Sequence, residues 1–183
     1  MTLAYHTVKE IYGRNYGSER LFKREYFNQL LYTEGLMDFQ KTLNAFWVID
    51  NMISYMPKIL KAYKEQDYTF FVVEIALNQR QQGYMEVYTE DYVEGIYHEH
   101  ISIIKQDIPF IDLPTKVDDE ITTYRFFLEL SALEPVTYTL LLPSEHWFYG
   151  GILPLYLHKQ EKHYGKYREC CYKFIRGFYF RTK

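Results

Sequence analysis

A chain of 183 residues, 48% apolar and 25% charged, is too apolar for wholesale disorder and long enough to bury about 70% of its unfolded surface without disulfides or metals. No apolar run approaches the ~20 residues that a membrane span needs, the segment Met1–Lys9 is too polar for a secretory signal, and the only cysteines, Cys170 and Cys171, are adjacent and cannot frame a disulfide scaffold, so a reducing, cytoplasmic setting is expected. The net charge is only −3, but residues 158–183 hold eight Lys/Arg and two Glu, which leaves −9 on residues 1–157.

In chain order, Ser18 is placed to cap a helix with Glu19 in its first turn, and Leu21, Phe22, Tyr26, Phe27, Leu30 and Leu31 recur at helical spacing behind it. Thr33 can cap a second helix that turns Leu36, Phe39 and Leu43 inward. Asn44 can cap a third, with Val48, Ile49, Met52 and Met56 as its apolar face, and Pro57 ends that helix or starts a short fourth through Tyr63.

After Asp67 the pattern changes to strands: residues 68–77, 84–90, 97–104, 123–130 and 136–142, with a polar turn at 78–83 and a loop at 107–120. Within 84–90, Tyr84, Glu86 and Tyr88 alternate with Met85, Val87 and Thr89. Short connections favour antiparallel pairing, so the expected class is α+β, with N-terminal helices packed on an antiparallel sheet. From about His158, Tyr164, Tyr167, Cys171, Phe174 and Phe178 recur every three or four residues, with Lys162, Lys166, Lys173 and Arg176 in a second stripe, which predicts a basic amphipathic helix. The organisation expected is an α+β domain over 1–147 and a basic, aromatic helical extension over 148–183.

Glu19 is the first candidate for chemistry. A carboxylate beside Arg20, Lys23 and Arg24 can act as general base on an RNA 2′-hydroxyl or a water while the cations hold phosphate; in the plainer reading it complements a helix dipole. Asp50, expected to be buried between Trp47 and Ser54, is the candidate second carboxylate, or a structural acid bonded by neighbours such as Trp47 and Tyr32. The run Tyr32-Thr33-Glu34-Gly35 reads as a helix-to-helix turn. His98 and His100 share a strand face at a spacing that can chelate a metal, but no third ligand is near, and no metal or cofactor is expected. Ser144-Glu145-His146 has the letters of a triad without a nucleophile elbow, and reads as a strand exit. There is no phosphate-binding glycine loop. In the tail, Lys162, Lys166, Lys173 and Arg176 interleaved with rings suit RNA, by phosphate neutralisation and base stacking. The same stripes suit packing on the domain or a homodimer seam.

Five stretches together carry a resemblance: Gly17-Ser18-Glu19, Leu31-Tyr32-Thr33-Glu34-Gly35-Leu36, Ala45-Phe46-Trp47-Val48-Ile49-Asp50, and the later Asp107-Ile108-Pro109-Phe110 and Leu140-Leu141-Leu142-Pro143-Ser144-Glu145. They resemble an uncharacterised domain family of bacteria, phages, plasmids and other mobile elements, over residues 17–146. That family has Thr at the place of Ser18 and Asp at the place of Glu34, and the tail after Trp147 lies outside its pattern. The resemblance implies a genomic setting rather than a reaction: small proteins of such elements are often counter-defence factors, anti-CRISPR proteins among them. The expectation is a mobile-element inhibitor acting in the bacterial cytoplasm. It would bind a CRISPR nuclease–guide RNA complex, and in a sharper version Glu19 would promote cleavage of the guide RNA. The alternatives are a stand-alone RNase or other hydrolase, and a non-catalytic accessory interaction domain.

Overall fold

The computed structural model describes residues 5–15, 17–93 and 96–146, in the order α1 (Tyr5–Arg14), β1 (Leu21–Arg24), β2 (Phe27–Thr33), α2 (Glu34–Leu43), α3 (Trp47–Gln66), β3 (Phe70–Asn78), β4 (Gly83–Val93), β5 (Ile96–Ile108), β6 (Ile121–Leu133) and β7 (Val136–Leu141). The seven strands form one mixed sheet in the order β1-β2-β7-β6-β3-β4-β5. Every pairing is antiparallel except β2 with β7, which is parallel. The class is α+β, as expected, but the sheet is mixed rather than antiparallel, because β2 pairs in parallel with β7; the predicted C-terminal helix lies outside the described residues.

The first predicted helix is instead a hairpin, β1–β2. Its apolar residues come in adjacent pairs (Leu21-Phe22, Tyr26-Phe27, Leu30-Leu31), a pattern that fits a helix stripe and also two strands with both faces in use. Tertiary pairing decides between them: Leu30, Leu31 and Tyr32 align with Tyr138, Thr139 and Leu140 of β7, which no local signal encodes. Ser18 serves a helix terminus after all, but that of α2: its hydroxyl accepts from the Glu34 amide (2.8 Å) and donates to the Arg20 carbonyl (2.7 Å).

Thr33 caps α2 as predicted. Asn44 does not start α3; it ends α2 in the left-handed conformation (φ 54°), and Phe46 precedes α3. Pro57 neither ends nor starts a helix but sits inside α3. An interior proline costs about 3 kcal/mol; the burial of Met52, Tyr55, Met56 and Ile59 on the same helix opposes that cost.

All three helices lie on one face of the sheet. Leu36, Phe39, Val48, Ile49 and Met56 pack in one core with the inward residues of the strands, such as Phe71, Val73, Val87, Phe126 and Leu140. Phe39 meets Tyr124 and Phe126 edge to face at centroid distances of 5.9 and 5.1 Å. Tyrosine hydroxyls in this layer reach backbone carbonyls: Tyr12 to Arg125 (2.9 Å), Tyr124 to Pro114 (2.5 Å) and Tyr138 to Tyr68 (2.7 Å). Gly83 opens β4 where a Cβ would lie 1.8 Å from the Ala76 carbonyl oxygen, so only glycine fits that turn.

The predicted loop at 107–120 is irregular from Pro109 onward. Gln79 pins it through the carbonyls of Lys116 and Asp119, while Ile111 and Leu113 are buried. β4 outlasts β3: its pairing with β3 ends at Tyr88, whereas its pairing with β5 runs on to Val93. Among the described residues no helix is long and apolar enough to cross a membrane.

Phe39 is fully buried and Tyr26 is 73% exposed, so the two rank the core against the surface. Phe39→Ala is expected to lower the free energy of unfolding by about 3–5 kcal/mol. Tyr26→Ala should stay within about 0.5 kcal/mol of wild type, both read from urea unfolding followed by circular dichroism.

Candidate functional site

The parallel pairing of β2 and β7 brings their C-terminal ends side by side, at the start of α2. There the stretch Tyr32–Gly35 meets the stretch Leu140–Glu145. Glu145 lies on a turn closed by its own amide on the Leu142 carbonyl (2.9 Å), and it is fully buried. Its carboxylate accepts from the Thr33 hydroxyl (2.5 Å), the Gly35 amide (3.0 Å) and the Leu142 amide (3.0 Å). The positive end of α2 favours the charge; burial opposes it and, against those hydrogen bonds, pushes the carboxyl above its usual range. A side chain at Gly35 would place its Cβ 2.7 Å from the carboxylate carbon. An acid so enclosed has no access to a substrate; it locks β2, α2 and the exit of β7 together. The sequence identified Thr33 as a cap and residues 143–145 as a strand exit, but spacing alone did not show that Glu145 supplies the anion at that helix terminus.

The predicted acid–base cluster is dispersed. Glu19 lies in a bend before β1, exposed and without a helix dipole behind it, and among the described residues it makes no hydrogen bond or ion pair. Arg20 pairs with Glu34, Lys23 donates to Asn28 Oδ1 (2.9 Å), and Arg24 pairs with Asp50 (3.1 Å). Asp50 is not the buried acid that was expected: it is exposed in the first turn of α3, where the dipole and Arg24 stabilise it. The partner of Asp50 is thus Arg24, not Glu19. Lys162, Lys166, Lys173 and Arg176 lie outside the described residues, as does the side chain of His98. Among the described residues no group of three His, Cys, Asp or Glu is placed to hold a metal ion.

The face of the sheet away from the helices carries residues that, His100 and His146 apart, entered no candidate site in the sequence. Strand register aligns them in rows. One row runs Lys105–Glu86–Glu74–Arg125 across β5, β4, β3 and β6. Glu86 Oε2 accepts from Lys105 (3.1 Å), its Oε1 meets His100 Nε2 (3.1 Å), and Glu74 accepts from Arg125 (2.7 Å) and Tyr84 (3.2 Å). Burial pushes the Glu86 carboxyl up, but hydrogen bonds from His100, Ser102 and Lys105 outweigh it and hold the group below its usual range. The next row, Tyr88–Val72–Phe127–Leu141, is apolar and forms its own small cluster with Phe70. His100 stacks on Tyr88 at 4.1 Å. His146 bonds Glu129 and lies against Phe70 and Phe127 (5.9 and 5.3 Å). The legible part was the alternation in β4: Met85 and Val87 do face the helices, which leaves Tyr84, Glu86 and Tyr88 on this second face.

Fold and site together define a two-layer α+β protein, with helices on one side of a mixed sheet and a charged, ring-bearing surface on the other. The chain belongs to a family of unknown function (DUF6876), whose sequence profile matches residues 6–146. No curated protein and no solved structure gave a significant match.

Glu145→Ala strands three buried donors and is expected to cost at least about 3 kcal/mol, and Gly35→Ala about 1–3 kcal/mol, read as shifts of the urea midpoint. For Glu86, whose folded value is lowered, the stabilising contribution is present above 4.5 and disappears as pH falls through the folded value. The stability gap between wild type and Glu86→Gln should therefore be widest near neutral pH and close in acid. Glu145 acts in the opposite sense: its contribution is full below 4.5 and is lost as pH rises through its raised folded value. A constant Glu86→Gln gap from neutral pH into acid would contradict the role assigned to its partners.

Proposed function

We propose that this protein is a binding protein that engages a cation-rich macromolecular partner through the acidic half of its sheet, and that the partner is a CRISPR nuclease–guide RNA complex in a bacterial host. The observation that carries the first part is the placement of charge. Residues 74–146 hold fourteen Asp/Glu against four Lys/Arg, while residues 1–73 hold eight against nine. Of the fourteen, Asp107, Asp112, Asp118, Asp119 and Glu120 are exposed on the end of β5 and the loop pinned by Gln79; among the described residues their one ion pair joins Asp119 to Lys116. Carboxylates spaced along a fixed backbone present a field like that of a phosphate chain, and a groove lined with cations attracts either. RNA-guided nucleases hold their nucleic acid in a positively charged channel. The choice of that nuclease as partner rests on the resemblance to mobile-element proteins.

The version in which Glu19 helps cut the guide RNA gains no support from the geometry, because Arg20 and Arg24 are engaged by Glu34 and Asp50 and, among the described residues, no second acid joins Glu19. Binding without chemistry is the reading favoured.

The test adds the purified protein to nuclease–guide RNA complexes in a target-cleavage assay and runs the RNA on a denaturing gel. Wild type is expected to inhibit while the guide stays full length. The triple variant Asp112→Lys, Asp118→Lys, Glu120→Lys should need at least about tenfold more protein, and inhibition should weaken with added salt. Unchanged potency of the triple variant removes the acidic surface from the account. Loss of guide RNA that Glu19→Gln abolishes restores the catalytic version. Cleavage of any RNA by the protein alone favours an RNase, and no effect on any nuclease leaves the accessory-domain alternative.

A further inference from the structure

Two strands end the sheet, β1 and β5, and their outer edges differ. β1 has four residues, its register shifts after Lys23, and it carries Lys23 and Arg24 without an acid, features that keep other strands away. β5 has thirteen residues. Among the described residues its backbone pairs only with β4, so the amides and carbonyls on its outer side have no backbone partner. The regular part of that edge is bounded. Ile103 is the extra residue of a bulge opposite Val87 and Tyr88, and Pro109, which has no amide hydrogen to give, follows the last residue. Between them runs Ile104-Lys105-Gln106-Asp107-Ile108. Register with β4 sets its faces: Ile104 and Gln106 lie with Val87 and Met85 toward the helices, where Tyr55 bonds Gln106, while Lys105 and Asp107 lie with Glu86 and Tyr84 on the second face.

We propose that two copies of this chain pair edge to edge through residues 104–108 of β5, which joins their sheets into one and leaves the helices of both on the same side. The run is its own complement: read backwards it is Ile-Asp-Gln-Lys-Ile, so two copies laid antiparallel about Gln106 set Ile104 against Ile108 and Lys105 against Asp107, each twice. The twofold axis stands normal to the sheet, so every side chain keeps the face it has in one copy. Sliding the pairing by two residues would set Lys105 against Lys105 or Asp107 against Asp107, which fixes the register. A lysine on an exposed edge ordinarily repels an arriving strand; here the residue that arrives opposite it is an acid. Lys105 is half exposed and gives one hydrogen bond to Glu86 (3.1 Å) while lying over the Tyr84 ring, which leaves donors for Asp107 of the other copy. Asp107 is exposed and, among the described residues, enters no ion pair. Phe110, 65% exposed two residues past the run, comes beside the edge of the other copy and sheds water there. A seam this short places the dimer among reversible, concentration-dependent assemblies. It engages Asp107 but leaves Asp112, Asp118 and Glu120 exposed, so it stands apart from the nuclease partner proposed above.

Sedimentation of the full-length chain at rising concentration should show reversible monomer–dimer exchange. Asp107→Lys turns both attractive pairs into repulsive ones and should raise the dissociation constant at least about tenfold. Lys105→Glu should do the same, and mixing the two variants should restore a dimer at least as strong as wild type, because each then supplies what the other lacks. Register is read separately in a Cys170→Ser, Cys171→Ser background. Gln106→Cys should oxidise to a disulfide-linked dimer, since directly opposed Cα atoms lie ~4.5–5.5 Å apart. Ser102→Cys, whose two copies would lie ~27 Å apart, should stay monomeric. This arm holds whether or not the charge variants fold. Only monomer at the highest soluble concentration, a dimer indifferent to Asp107→Lys, no gain on mixing, or equal cross-linking of Gln106→Cys and Ser102→Cys would each overturn the proposal.

Discussion

The Glu145 carboxylate is enclosed by protein and accepts three hydrogen bonds: from a hydroxyl at the end of β2, an amide of the first turn of α2, and an amide just past β7. Residues more than 100 positions apart in sequence meet at one charge. An anion in such a place is held only while all its partners are present, because leaving a buried group unpaired costs its full desolvation penalty, more than the bond contributes net. The interaction thus demands three things at once: a hydroxyl at 33, no side chain at 35, and parallel pairing of β2 with β7. It also fixes where the chain goes next, since the turn that presents Glu145 carries His146 onto the second face.

From that junction the two-sidedness of the molecule follows. The parallel β2–β7 contact inserts the N-terminal hairpin at one side of a sheet whose other strands all pair antiparallel, with β6 returning past β5 to lie beside β3, and the connections through α2 and α3 place both helices on one face. The abundant tyrosines suit this arrangement. On the helix side, Tyr12, Tyr124 and Tyr138 bury a ring and pass a hydroxyl to a backbone carbonyl; on the second face, Tyr84 donates to Glu74 and Tyr88 in the apolar row stacks with His100. One residue type meets both needs because its ring and its hydroxyl are separable demands.

Legibility in the sequence followed the range of the forces involved. Strands β3 to β7 were readable because alternation and turn residues are local. So was the cap at Thr33, whose donor lies three residues away. The β1–β2 hairpin was not, because paired apolar residues satisfy two periods and the partner that decides, β7, comes about 100 residues later. Helix α3 ran through Pro57 because packing on the sheet outweighed a local penalty. The candidate site fared worse than the fold. Arg20, Lys23 and Arg24 were read as a cation cluster around Glu19, but Glu34 and Asp50, which engage two of them, approach through tertiary structure. The glutamates at 74, 86 and 129 sat in strands read mainly for their apolar residues, and only register turns them into rows.

Charge settles how these parts bear on function. A protein with its acids spread evenly would gain little directed attraction for a cationic groove at physiological salt, where fields fade within about 8 Å. Here the acids gather on the half of the sheet farthest from β1 and on its loop, and part of them is already answered: Glu74 by Arg125, Glu86 by Lys105 and His100, Glu129 by His146. Paired acids fix the second face and give little reach into solvent. The acids at 107, 112, 118 and 120 make no ion pair among the described residues, and the last three lie on the loop that Gln79 holds, so their field reaches solvent. Pairing therefore divides the acids into a set that shapes the protein and a set that faces solvent, and it is the second set that the basic partner proposed above would read.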